Sequence, residues 1–171
     1  VIKLAHETTN FGGIWHSDTS YMEKPPKAAM LVARELPPYG GDTLFANMYM
    51  AFDTLSEGMK TMLSGLKAVN TTAKADASAT REDRRKTAAK LDDDAVLSAT
   101  HPVVRTHPET GKKILYINIG HTAHFEGMTE EESAPLLKFL HNHQTKPEFT
   151  CRFTWHPGSI AFWDNRACHH N

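Results

Sequence analysis

Phe149 to His170 reads FTCRFTWHPGSIAFWDNRACHH, and this stretch decides the fold class. Phe149, Cys151, Phe153 and Trp155 alternate with Thr150, Arg152 and Thr154, the period of a strand with one apolar face. His156-Pro157-Gly158 supplies a turn, and Ser159 to Trp163 returns as a second strand. Outward from it, the signals stay of the strand kind. Lys27 to Arg34 is an apolar run between Pro25-Pro26 and Pro37-Pro38-Tyr39-Gly40-Gly41, as expected of a buried strand. Val103 to Thr106 and Lys113 to Asn118 flank His107-Pro108-Glu109-Thr110-Gly111, a hairpin with its loop.

Helical spacing is rarer. Asn47 to Leu66 carries Met59, Met62, Leu63 and Leu66 as core positions, with Ser56 as N-cap of the second half. Thr129 and Glu132 fit a capping box, but Pro135 argues for a turn followed by a helix capped near Ser133. Thr71 to Asp94, with Arg81-Glu82-Asp83-Arg84-Arg85-Lys86 and Asp92-Asp93-Asp94, lacks large apolar anchors and reads as a mobile loop or solvated helical insert. The pattern predicts one mainly β domain over residues 1–171, a sandwich or barrel with flanking helices.

Composition narrows the function. Nineteen Lys+Arg against 20 Asp+Glu leave a net charge of −1, so no basic field gathers nucleic acid. No run approaches a membrane span, and two cysteines suit a reducing, cytoplasmic setting. Oligomeric state is not legible, and a homo-oligomer stays open. The unusual number is eleven histidines.

Trp15-His16-Ser17-Asp18 places a histidine and a carboxylate at i and i+2, on one face of an extended segment. The C-terminal His169-His170 offers a further ligand. Two histidines and a carboxylate on one face of an ion suit non-haem Fe(II) with open positions, whereas structural zinc favours a closed set richer in Cys or His. Cys168 beside His169 makes a poor nucleophile pair, because adjacent strand residues face opposite ways. Cys151 reads as a small core residue, and His101, His107, His141, His143 and His156 as solvated turn or helix-end positions.

The strings WHSD (15–18), LPPYGGDTLFAN (36–47), HPVVRTHPETGKKILYIN (101–118) and TKPEFTCRFTWHPGSIAFWDNRACHH (145–170) resemble, in order, the TauD/TfdA family of Fe(II)- and 2-oxoglutarate-dependent dioxygenases. The resemblance implies a double-stranded β-helix, or jelly roll, and an apparent truncation at both ends. It implies Fe(II) with 2-oxoglutarate and O2 as cosubstrates, and a small organic acid as substrate: a sulfonate, a sulfate ester or an aryloxy acid. By that resemblance His16, Asp18 and His170 are the metal ligands, His169 being the runner-up at a position commonly glutamine. Thr43 of the GGDT string would bind a carboxylate of 2-oxoglutarate, whose distal carboxylate pairs in the family with an arginine falling beyond Asn171. Asp164, Asn165 and Arg166 would order the strand end around the last ligand. Gly12 and His121 occupy substrate-contacting positions where the taurine enzyme has asparagine and phenylalanine, which predicts a preference other than taurine. Retention of Asp18 implies hydroxylation rather than halogenation. The alternative is a non-catalytic metal-binding jelly-roll domain.

Overall fold

The computed structural model describes residues 13–74 and 96–171. Gly12 and positions 75–94 of the expected mobile insert lie outside the described residues.

Among the described residues two sheets frame the site. Strand β1 (Ala28–Val32) pairs antiparallel with β9 (Ile160–Asp164), Met30 opposite Phe162 and Ala29 opposite Trp163. Strand β2 (Thr43–Asn47) lies between β10 (Cys168–His170) and β8 (Thr150–Phe153), with Phe45 opposite both His170 and Cys151. Two further units flank them. Strand β3 (Lys67–Thr71) sits between β4 (Ser98–Pro102) and β7 (Thr122–Phe125), and β5 (Val104–Thr106) forms the expected hairpin with β6 (Lys113–Leu115). In that hairpin's loop Gly111 adopts φ 69°, a conformation glycine takes without a Cβ clash.

The main core lies on one side of β2. Ala46 packs there with Met48, Leu63, Ile117, Phe125 and Leu140, all essentially inaccessible. Helices close it: α1 (Met48–Asp53), capped by Asn47, and α2 (Glu57–Ser64), capped as expected by the Ser56 hydroxyl. Met62 nonetheless stands on the solvent side of α2, 44% exposed.

Helix α3 (Glu130–Gln144) corrects the expectation at Pro135. It starts at Thr129, whose hydroxyl accepts from the Glu132 amide while Glu132 returns to the Thr129 amide, and it runs straight through Pro135. Pro135 and Glu131 are both exposed, so the carbonyl that proline leaves unbonded faces water and the break costs little.

Four strand expectations also change. β1 is half-buried rather than buried, because Met30 and Val32 face outward. Pro147 opens a single 3-10 turn (Pro147–Phe149) that carries Phe149 into the helix-side core before β8 begins. Cys151 is exposed rather than core. The turn at His156 to Gly158 joins strands of different sheets, since β8 pairs with β2 and β9 with β1, so the chain crosses over there instead of forming a hairpin.

Candidate metal centre

His16 and His170 are tied together by backbone. The His16 amide donates to the His170 carbonyl at 3.0 Å, and the His170 amide returns to the His16 carbonyl at 2.8 Å. Residues exchanging both bonds in an antiparallel pair send their side chains out of the same face, and the two imidazole centroids lie 4.2 Å apart. The His16 Nδ1–H donates to the Ile14 carbonyl at 2.7 Å, which fixes the tautomer and leaves Nε2 as a lone-pair donor. Two residues on, Asp18 Oδ1 stands 3.6 Å from His16 Nε2 and 3.8 Å from His170 Nε2. One ligand atom from each of the three falls within 4.8 Å of the others, the one such group among the described residues. Adjacent donors about 2.1 Å from one ion stand about 3 Å apart, so both carboxylate–imidazole spacings are within an ångström of those in a facial set.

The electrostatics suit a cation. Burial raises the Asp18 carboxyl above its usual range, and the nearby His16 only partly offsets this. Burial, and then repulsion from His16, pushes the His170 imidazole down to about 3, so it stays neutral. The neutral His170 nitrogen, the His16 Nε2 and one desolvated carboxylate converge on one point, a donor set that a divalent ion fits.

The walls are aromatic and close. Trp163 lies 4.8 Å from the His170 ring and 5.3 Å from Phe45. At Gly120 a Cβ would meet His16 Cβ, Ile14 Cδ1 and Asn118 Oδ1, each at 3.4 Å, so the backbone packs directly behind the first histidine. A cavity of about 490 Å³ continues along this face beyond Phe45 and Trp163, past Asn47 and Cys168, and does not include the triad atoms.

Of the other expected site residues, Thr43 lies on the same face of β2 as Phe45, two positions along, and its Oγ1 accepts from the Trp155 indole N–H at 3.0 Å. His169 faces the opposite side, only 2% exposed, and burial holds it neutral with its value down to about 3. The His121 ring stands edge-on to Tyr21 at 4.9 Å, and Gly12 is outside the described residues.

Several histidines expected in solvated turns are buried and hydrogen-bonded. The His101 Nε2 lies 2.9 Å from the Ser20 carbonyl, His143 Nε2 2.8 Å from the Ala51 carbonyl, and His107 Nε2 2.9 Å from Asp164 Oδ2. Asp164 also accepts from the Arg166 backbone amide and twice from the Arg166 guanidinium, whose Nη1 reaches Glu109 at 2.7 Å. With these partners its carboxyl is driven far below the ordinary carboxylate range, although burial opposes the shift. Sequence reasoning missed one buried asparagine beside the H-x-D segment, Asn118, and placed a second, Asn165, around the last ligand rather than around Asp18. Asn118 Nδ2 donates to the Ser17 carbonyl at 2.7 Å and to Ser20 Oγ at 2.8 Å, and Asn165 bonds to Asp18 itself. Their partners lie about a hundred or more residues away, beyond the reach of local pattern.

Known proteins share this frame. A taurine dioxygenase from Burkholderia xenovorans superposes with a TM-score of 0.75 at 38% identity, over 91% of this chain and 49% of that one, which establishes the jelly-roll fold. An alpha-ketoglutarate-dependent 2,4-dichlorophenoxyacetate dioxygenase from Burkholderia sp. (strain RASC) is 35% identical over 92% of this chain and 51% of its own length. An alpha-ketoglutarate-dependent sulfate ester dioxygenase from Pseudomonas putida is 34% identical over 91% of this chain and 52% of its own. The chain spans about half the length of these relatives. The taurine catabolism dioxygenase TauD, TfdA family matches from residue 2 to residue 171, and the chain belongs to that family.

Proposed function

We propose that this chain is the metal-bearing portion of an Fe(II)- and 2-oxoglutarate-dependent dioxygenase that hydroxylates a small organic acid. The observation that carries this reading is the convergence of His16 Nε2, Asp18 Oδ1 and His170 Nε2 across a two-bond backbone bridge, in a chain of this family. Three donors on one face of an octahedral ion leave three positions for small ligands. With iron bound, the group would supply oxidative decarboxylation of 2-oxoglutarate by O2 to succinate and carbon dioxide, the second oxygen atom entering a substrate C–H bond as hydroxyl.

The chain's own residues do the holding. His16 and His170 donate neutral nitrogen, and Asp18 contributes the negative charge. Thr43, its oxygen already accepting from Trp155, has its own hydroxyl proton to give a cosubstrate carboxylate. Trp163 and Phe45 cover one flank of His170 and keep water from it. Gly12 and His121 would shape the acid pocket. The relatives named above, acting on taurine, a sulfate ester and an aryloxy acid, set the candidate classes: sulfonates, sulfate esters and aryloxy acids.

The test is succinate formation by the full-length protein with Fe(II), O2 and 2-oxoglutarate, over a panel of such acids. Substrate-stimulated succinate is expected, with taurine a poor member of the panel. Stoichiometric iron binding without succinate from any acid would instead mark a non-catalytic metal-binding domain.

A further inference from the structure

The turn between β9 and β10 holds Asn165, fully buried. Its side chain does not face the strand end that it leaves. The Asp18 amide donates to Asn165 Oδ1 at 2.7 Å, and Asn165 Nδ2 donates to the Asp18 carbonyl at 3.0 Å and to the Pro26 carbonyl at 3.3 Å. One primary amide thus pairs with both backbone groups of a single residue, as the peptide of a neighbouring strand would. The Asn165 amide is itself fixed, donating to the Lys27 carbonyl at 3.0 Å. On the far side of Asp18 the chain turns sharply, with Thr19 at φ 53°, a left-handed conformation unfavourable for a β-branched residue. Asp18 therefore sits in a segment whose backbone would relax if released.

We infer that Asn165 is a positioning residue for the metal carboxylate: by clamping the Asp18 peptide groups it holds Oδ1 on the face shared by His16 and His170. The clamp also couples the two halves of the site. Asn165 lies five residues before His170 in the chain and 147 residues after Asp18, so the element that delivers the last histidine also sets the carboxylate. This inference rests on the proposed metal reading, and its test separates the two.

Full-length protein is titrated with Co(II) without oxygen, following the d–d absorption and the dissociation constant, for wild type, Asn165→Ala and Asn165→Asp. Asn165→Asp keeps the shape and the acceptor for the Asp18 amide but sets a carboxylate oxygen against the Asp18 carbonyl, and it serves where the alanine variant folds poorly. Gln144→Ala is the comparison, since Gln144 is equally buried and bonds to the Ile117 carbonyl away from the triad. Both Asn165 variants should bind Co(II) roughly 10- to 100-fold more weakly, with an altered d–d band at saturation and unchanged far-ultraviolet circular dichroism. Gln144→Ala should lose thermal stability while keeping the wild-type band and affinity. Wild-type affinity and band in a folded Asn165→Asp protein would overturn the inference while leaving the metal reading intact. Failure of wild type itself to bind Co(II) would overturn both.

Discussion

His169 and His170 are neighbours on one three-residue strand, and they belong to different regions of the molecule. His169 turns to the face of β2 and β10 that packs with Ala46 against the helix-side core. His170 turns to the face of Thr43 and Phe45, toward His16 and Asp18. Burial keeps both rings neutral, so their charge does not distinguish them. Their surroundings do: one lies in a packed core, the other beside a carboxylate and a second imidazole. On the proposed reading a single sheet divides stability from chemistry, and substitutions on its two faces should separate into two kinds.

The largest effect belongs to the site face. Asp18→Ala should weaken divalent-metal binding by roughly a thousandfold, about 4 kcal/mol, and abolish succinate formation. Its metal-free melting temperature should stay near wild type, since the Asp18 side chain is 35% exposed and burial disfavours its charge. A large drop in metal-free stability would break the division. On the other face, Leu140→Ala removes a fully buried side chain of α3 and should cost about 2–5 kcal/mol in denaturant unfolding, while the surviving folded protein keeps its metal affinity.

A pH effect sharpens the core side. Burial, with some help from Lys74, lowers His141 to about 4 against an ordinary 6.5; the buried His169 also interacts with it. A histidine with a depressed folded value contributes stability that is present above the unfolded value and lost as pH falls toward the folded one. Unfolding free energy should therefore decline between about pH 6.5 and 4, this residue adding at most about 1.4 kcal/mol per pH unit. His141→Gln should flatten that slope, as read by urea titrations across the range. The smallest effect is expected at Trp155→Phe, which removes the indole bond to Thr43. It should raise the KM for 2-oxoglutarate a few-fold and leave metal affinity unchanged.

Much of the site was legible because its signal is local. The H-x-D spacing puts His16 and Asp18 on one side of an extended segment whatever the rest of the fold does, and adjacency puts His169 and His170 on opposite sides. Which of the two faces His16 and Asp18 depends on a bridge between residues 16 and 170, which spacing cannot supply but the family motif could. The same limit applies to the histidines at 101, 107 and 143. Prolines beside two of them signal turns, while the carbonyls and the carboxylate that bury them come from distant segments. Asn165 is the sharpest case, since its motif neighbours point to His170 and its bonds run to Asp18. The helix passes through Pro135 because a proline's cost depends on whether the carbonyl that it strands meets water.

On the proposed reading His170 holds one ferrous ion together with His16 and Asp18. Iron bound per chain, counted under anaerobic conditions in wild type, His170→Ala and His169→Gln, decides it. One iron in wild type, one in His169→Gln and none in His170→Ala is the predicted result. Iron kept by His170→Ala and lost by a folded His169→Gln would contradict it.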